Sequence, residues 1–196
     1  EVNGSHAHRF KSLIERLNIF TLIVTDIDSQ SIGNKGKWEK NFTQKGQKQI
    51  SNNDTIKEWL GIKDVDELLE LKDKDKIKGN VRIAYQTGIP IKFKGKAKEN
   101  IAYPYTFEDS VALTNYQLFI KEDLNCSGMV KHFHDILISA TDVTSCCKDL
   151  FGQLKSSNKA PFAINLLFME EFEQLKTPAY IEEGLDWLNQ LLNSNE

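Results

Sequence analysis

The clearest hydrophobic pattern in the chain is a short apolar run that ends in acidic residues. Residues Phe20–Val24 are apolar or β-branched, which predicts a short, fully buried central strand. Asp26 and Asp28 follow it, at the carboxyl end where an α/β sheet binds its ligands. Two neighbouring carboxylates repel unless a cation lies between them, which favours a hard divalent ion such as Mg²⁺. The alternative is a polar turn in which Asp and Ser serve purely local capping.

Helical periodicity surrounds this strand. Ala7, Phe10, Ile14 and Leu17 have the spacing of one helix face, which predicts a helix over His6–Leu17. A helix followed by a strand is half of a βαβ unit, whose strands lie parallel. The same reasoning predicts further helices over 54–60, 65–71, most of 111–154, 160–168 and from 177 onward, with a strand over 80–87.

Residues 29–53 are polar, which predicts a long loop. Lysine neutralises phosphate and an aromatic ring stacks on a base, so a loop that mixes the two fits a nucleic acid strand. The alternative is a solvated loop whose tryptophan packs on the core. The residues concerned are Lys35, Lys37, Lys40, Lys45, Lys48, Trp38 and Phe42.

Three other segments of the chain are rich in charge. Each has a structural interpretation, and the first also has a functional one. Lys92, Lys94, Lys96 and Lys98 alternate, so in an extended chain they share one face, either to contact phosphates or to protect a hairpin edge. The mixed run 72–76 predicts a solvated turn. Glu108 and Asp109 fall in the first turn of a predicted helix, where the helix dipole favours negative charge.

Composition and charge narrow the classes of function. A chain of 196 residues is long enough for one domain with a sizeable core, and a net charge of −3 excludes a uniformly basic nucleic-acid binder. No apolar run approaches the roughly 18 residues of a membrane span. Three cysteines without a disulfide pattern suit a reducing cytoplasm. No Gly-x-x-x-x-Gly-Lys-Ser/Thr motif is present, which excludes a P-loop ATPase within these residues.

Six phrases carry a family resemblance in their order along the chain. They are Val2–Phe10, Thr21–Ser29, Asn53–Leu60, Thr106–Asp109, Asn158–Ala163 and Pro178–Leu188. Together they resemble the C-terminal Toprim (topoisomerase–primase) nuclease region of the overcoming-lysogenization-defect (OLD) family, which includes the large subunit of the Gabija anti-phage system. Each phrase alone is weak, but six in sequence cover nearly the whole chain.

The resemblance implies a fold and an activity. Residues 1–196 would form an α/β Toprim domain, with a mainly parallel central sheet, helices on both faces and a helical insertion at about 111–154. The activity implied is that of a Mg²⁺-dependent DNA endonuclease of the two-metal type, with Mn²⁺ or Ca²⁺ able to replace Mg²⁺ in binding. Topoisomerase chemistry is a weaker fit, because no tyrosine is singled out as a nucleophile. The family-like phrases around Phe10 and Trp187 argue against both topoisomerase and primase chemistry. The alternative from another class is a Toprim module that binds metal or nucleic acid without cutting.

The resemblance also assigns roles by position. Asp26, Asp28 and Glu108 match metal-binding acidic residues, with Asp109 as a neighbouring ligand. Lys159 matches the catalytic lysine and acts with Asp26 and Glu108. A further family glutamate ends a strand that would precede Glu1, so we expect the chain to be an N-terminally truncated fragment.

The partners that the resemblance implies lie partly outside the chain. They are DNA, a second copy of the protein bound through an upstream ATPase region, and a UvrD-like helicase. No membrane is implied, and the setting is cytoplasmic anti-phage defence.

Overall fold

The predicted mixture of helices and strands is confirmed in the computed structural model, which describes residues 4–156 and 160–193. One unit contains residues up to Thr87 together with those from Ala179, and the other runs from Gly88 to Pro178. The α-helices are α1 (Lys11–Leu17), α2 (Asp54–Leu60), α3 (Val65–Glu70), α4 (Phe107–Thr114), α5 (Tyr116–Phe119), α6 (Gly128–Ser139), α7 (Val143–Ser156), α8 (Ala160–Leu167) and α9 (Ala179–Asn193). The strands are β1 (Thr21–Val24), β2 (Ser29–Ile32), β3 (Trp38–Lys40), β4 (Ile50–Ser51), β5 (Ile77–Lys78), β6 (Val81–Ala84), β7 (Ile89–Ile91) and β8 (Asn100–Ala102).

In the first unit, helices cover both faces of the strand pair β1–β6. The two strands are parallel, and Val24 lies opposite Ala84. On one face Ile23 and Ile83 join an apolar core with residues of α2 and α3. On the other face α9 approaches so closely that a Cβ added at Gly184 would lie 2.7 Å from the Leu22 side chain. The alternation of side chains along β1 therefore directs successive residues to different helices.

Three expectations about this sheet were wrong. Strand β1 is not fully buried, since Ile23 is its one buried residue and Val24 is 42 % exposed. Among the described strands it lies at the edge of the order β1-β6-β5, not at the centre. The sheet is not mainly parallel either, because β1–β6 is the one parallel pair that the described residues form. The short connection Gly79–Asn80 makes β5 and β6 a hairpin, which requires antiparallel strands.

The prediction of a structureless loop over 29–53 was also wrong. Strand β2 pairs antiparallel with both β3 and β4. The interior of this small sheet is polar: Ser29, Gln49 and Ser51 are all buried. Gln49 Nε2 donates to the Phe42 carbonyl at 2.8 Å and to Ser31 Oγ at 3.0 Å. Hydrogen bonds between polar groups replace the apolar alternation by which a strand is detected in a sequence.

The charged run 72–76 is largely exposed, as expected for a solvated turn, but it ends in the buried Lys76 and its Asp73 pairs with the buried Arg82. Lys76 and Arg82 are 6 % and 2 % exposed. Arg82 Nη1 donates to Asp73 Oδ2 at 2.8 Å, and Nη2 donates to Asp73 Oδ1 and, at 3.5 Å, to Glu183 Oε2. Hydrogen bonding from Arg82 holds the pKa of the Asp73 carboxyl below its usual value. The two carboxylates compensate for the cost of burying the cations.

The second unit consists of the hairpin β7–β8 and the helices α4 to α8. The helical segment predicted over 111–154 is confirmed, with Gly128 at φ 56° where α6 begins. The expectation of an extended segment with Lys92, Lys94, Lys96 and Lys98 on one face was wrong, because this segment is not extended. A 3-10 turn over Phe93–Gly95 interrupts it, with Lys94 at φ 48°. None of the described helices has the length and apolar composition needed to cross a membrane.

Stability should depend on the ionisation of Asp73. Its folded pKa is lowered, so its carboxylate stabilises the fold above its unfolded pKa, and this contribution is lost as the pH falls through the folded pKa. Asp73 is half-exposed, so we expect Asp73→Asn to lower the free energy of unfolding by only about 1 kcal/mol at neutral pH. As the pH falls through the folded pKa of Asp73, the difference between the two proteins should vanish. Urea denaturation across this pH range measures it.

Asp75→Asn is the matched control for that experiment, since Asp75 lies on the same turn. A loss of stability that is equal in the two variants, or that does not change with pH, would contradict the role given to the Arg82–Asp73 pair.

Candidate functional site

The turn after β1 places Asp26 and Asp28 on either side of a fully buried residue. Ile27 is 0 % exposed, and its N–H donates to Gln86 Oε1 at 2.8 Å. Both aspartates are half-buried, and Asp28 has φ 50°, a left-handed conformation that Asp adopts more readily than most residues. Burial of Ile27 thus anchors the turn that presents the two carboxylates.

Gln86 orients the first of these carboxylates. Its Nε2 donates to Asp26 Oδ1 at 2.6 Å and to the Tyr180 hydroxyl at 3.4 Å, and its side chain is 1 % exposed. Gln86 follows β6 by two residues, just as Asp26 follows β1 by two, so the parallel register brings them together. Sequence analysis missed Gln86, although a polar residue directly after a strand parallel to β1 was an available signal.

Asn53 holds the backbone of the same turn. Its Nδ2 donates to the Asp26 carbonyl and to Thr25 Oγ1, both at 2.7 Å. Its Oδ1 accepts from Thr55 N at 2.9 Å and from Ile56 N at 3.2 Å, which caps α2. The sequence predicted a helix start here but not the link to the acidic turn.

The acidic pair in the second unit has two different environments. Asp109 is 1 % exposed, and its carboxylate accepts from the N–H groups of Tyr105 and Thr106, both at 2.7 Å. This is a capping box at the start of α4. Glu108, one residue earlier, is half-buried in the first turn of that helix. The structure thus explains Asp109 by local capping, as the helix-dipole interpretation expected, while Glu108 has no part in the capping box.

Lys159, which the family resemblance assigns as the catalytic lysine, lies outside the described part of the chain.

The acidic turn could hold a hard divalent cation such as Mg²⁺, but it supplies only two carboxylate ligands. No group of three His, Cys, Asp or Glu side chains within 4–156 and 160–193 is arranged to hold a metal ion. Mg²⁺ commonly binds through one or two carboxylates and completes its shell with water and phosphate oxygens. Asp26 and Asp28, two carboxylates on one anchored turn, match that donor chemistry.

The lysine-rich segment of the first unit is exposed on its hairpin but paired further along the chain. In the first unit, Lys35, Lys37 and Lys40 are exposed on the hairpin β2–β3, whereas Lys45 pairs with Glu70 at 2.8 Å. Trp38 is 42 % exposed, so the alternative that packed it on the core was wrong. Phe42, the other aromatic residue of the segment, is 8 % exposed and belongs to the core.

A separate cavity lies within the second unit. Its volume is about 570 Å³, and lysines 92, 121 and 176 are among its lining residues. Neither Glu108 nor Asp109 is among the described residues that line it. The cavity is therefore not formed by the acidic residues that the sequence singled out.

Comparison with known proteins gives one curated relative for this chain. The alignment covers 202 residues and the whole of this chain, with 29 % identity. The chain is similar to Endonuclease GajA of Bacillus cereus (strain HuB5-5). This confirms the resemblance, inferred from the six phrases, to the C-terminal region of the Gabija large subunit. The aligned region is 27 % of that relative's length, so the chain corresponds to about a quarter of it. No protein-family model and no solved structure matches the chain.

Loss of the Asn53 amide should destabilise the first unit. Asn53→Ala removes the cap of α2 and leaves the Asp26 carbonyl and Thr25 hydroxyl without this donor. We expect the free energy of unfolding to fall by about 2–4 kcal/mol, as measured by chemical denaturation.

Asn52→Ala is the matched control, because Asn52 is exposed and adjacent. It should change stability by less than about 0.5 kcal/mol. Equal effects of the two variants would refute the central role of Asn53.

Proposed function

We propose that this chain is the catalytic region of a metal-dependent DNA endonuclease of the OLD family, acting in cytoplasmic anti-phage defence. The observation that carries the proposal is the similarity to Endonuclease GajA over the whole chain, combined with an anchored Asp26–Asp28 turn at the carboxyl ends of β1 and β6. We assign the region to the Toprim fold. DNA is its substrate, and the whole protein assembles through an upstream ATPase region and works with a UvrD-like helicase.

Asp26 and Asp28 are the proposed Mg²⁺ ligands, and Mn²⁺ or Ca²⁺ can occupy the same oxygens. Glu108 keeps the role of a further acidic ligand that the family resemblance gives it. For Asp109 we propose a supporting role instead, because both of its carboxylate oxygens bind backbone N–H groups of residues 105 and 106. It fixes the first turn of α4, from which Glu108 projects.

The reaction is hydrolysis of a phosphodiester bond. Bound divalent ions, two in the mechanism we favour, would neutralise the phosphate and lower the pKa of the attacking water. The chain supplies orientation: Gln86 fixes the Asp26 carboxylate and Asn53 fixes the backbone of its turn. Lys159 would offset the negative charge that develops on the phosphate in the transition state. Exposed lysines, including Lys35 and Lys37, bind the DNA backbone without reading its sequence.

The second candidate is a Toprim module that binds metal and nucleic acid without cutting. One observation favours it: in the described part of the chain, no three carboxylate, thiol or imidazole side chains form a ready metal site. Titration of the full-length protein with Mg²⁺ and with DNA, together with a cleavage assay, distinguishes the nuclease from the binding module. A full-length protein that binds Mg²⁺ and DNA but never cleaves DNA would support the binding module.

Plasmid nicking by the full-length protein tests the proposed roles. With Mg²⁺ or Mn²⁺ present, we expect Asp26→Asn and Lys159→Ala each to slow nicking by about 100-fold or more, because each removes charge that the transition state requires. Gel electrophoresis of supercoiled plasmid against time gives the rates.

Asp186→Asn and Lys155→Ala are the matched controls, since both residues are exposed. They should nick at the wild-type rate. If Asp26→Asn and Lys159→Ala also nick at that rate, the assignment of the site is wrong.

A variant of Gln86 tests whether this residue positions the proposed metal ligand Asp26, without itself binding the metal. Gln86→Leu keeps the approximate volume but removes the donor to Asp26. We expect the Mg²⁺ concentration for half-maximal nicking to rise by about 10- to 100-fold, as happens when the partner of a metal ligand is lost. The exposed Gln47→Leu variant is the control. An unchanged Mg²⁺ dependence in a folded Gln86→Leu protein would exclude the positioning role.

A further inference from the structure

The hairpin β2–β3 exposes two large apolar side chains next to each other. Ile32 is 64 % exposed and Trp38 is 42 % exposed. They are register partners in the antiparallel pair, so their side chains emerge on the same face. All three residues of β3 are exposed, and β3 is the edge strand of its described sheet. An edge strand normally carries charge rather than tryptophan, so this pair calls for a partner.

The tip of the hairpin is short and basic. Gly33 N donates to the Lys37 carbonyl at 2.8 Å, and Gly36 N donates to the Gly33 carbonyl at 2.9 Å, which closes a tight turn. Glu39 lies against Gly33, where an added Cβ would come within 2.7 Å of its carboxylate oxygens. Glu39 is adjacent to Trp38, so it occupies the opposite face of β3. With Lys35, Lys37 and Lys40 exposed, the segment has three positive charges and one negative charge.

The base of the hairpin is joined directly to the acidic turn. Strand β2 begins at Ser29, the residue after Asp28. Ser29 Oγ donates to the Asn41 carbonyl at 2.8 Å, and Asn41 N donates to the Ser29 carbonyl at 3.1 Å. Ile32 lies four residues along the chain from Asp28, a distance of about 13 Å in an extended strand. At about 3.4 Å per nucleotide this corresponds to roughly four nucleotides along a DNA strand.

We propose that the hairpin β2–β3 binds unpaired bases a few nucleotides from the cleaved bond, so that DNA with a single-stranded segment beside the cleavage site is bound more tightly than intact duplex. The inference rests on the proposed nuclease function. Trp38 offers a flat apolar surface on which a base stacks, and the lysines bind the flanking phosphates. In intact duplex both faces of each base are already stacked on neighbouring base pairs, so Trp38 gains a contact where a strand is unpaired. The positive charge of the hairpin favours a nucleic acid over a protein partner.

DNA binding by the full-length protein in EDTA tests the proposal, because no cleavage occurs without a divalent ion. Fluorescence anisotropy compares a labelled duplex with the same duplex carrying a single-stranded overhang. The wild type should bind the overhang substrate more tightly, and Trp38→Ala should reduce that preference by about 5- to 150-fold, the range for loss of one stacked base. Trp38→Phe should retain most of it. Phe10→Ala, which removes an aromatic side chain of the same 42 % exposure elsewhere in the unit, should have no effect.

Three results would overturn the inference. The first is an unchanged preference in Trp38→Ala. The second is an equal loss of affinity for both DNA molecules. The third is a change of oligomeric state in Trp38→Ala, measured by sedimentation, which would make the apolar pair a contact between protein chains. Failure of the proposed function is separate: it would appear as wild-type nicking by Asp26→Asn, whatever the result of the binding assay.

Discussion

The buried amide of Asn53 is the contact on which the candidate site depends most. A side-chain amide has two N–H donors and two acceptor lone pairs, and Asn53 uses all four. The donors bind Thr25 and the carbonyl of Asp26, while the oxygen accepts two N–H groups from the first turn of α2. One side chain thereby fixes the end of β1, the acidic turn and the start of a helix relative to each other. Since Asn53 is fully buried, each lost bond would expose a polar group to an apolar interior.

Gln86 applies the same chemistry to a carboxylate, and the contrast with Arg82 is informative. Arg82 binds Asp73 through charge, which cancels the charge of that carboxylate and lowers its pKa. Gln86 is neutral, so it orients Asp26 at 2.6 Å without cancelling its charge. A carboxylate paired with a buried guanidinium stabilises the fold. The bond from Gln86, in contrast, fixes the direction of the Asp26 carboxylate, which is the property that the proposed metal site requires.

Features that depend on a few neighbouring residues could be predicted from the sequence, whereas features that depend on distant residues could not. The ends of the helices predicted to stop at 17 and 60 agree with the structure, where Asn18 and Gly61 follow in left-handed conformations, because a cap is a property of a few neighbouring residues. The polar sheet was missed because its strands are held by side chains such as Gln49 and Ser29, which have no apolar period. The burial of Arg82 depends partly on Glu183, 101 residues away, and no local pattern reports such a contact. In the site, Asp26 and Asp28 were visible as a motif, whereas Gln86 became relevant only through the register of β1 and β6.

The acidic turn and the exposed hairpin form one continuous structure, and this has a mechanical consequence. Asp28 passes directly into β2, and the hydroxyl of Ser29 binds both the Asn41 carbonyl and Thr43 Oγ1, at 2.8 and 3.0 Å. No flexible joint separates the carboxylates from Trp38 within this segment, since the ladder of β2 and β3 spans the interval. Side chains on rigid elements hold a geometry more accurately than those on loops. The distance along the chain between the carboxylates and the hairpin's apolar pair is thus set by the length of the paired strands.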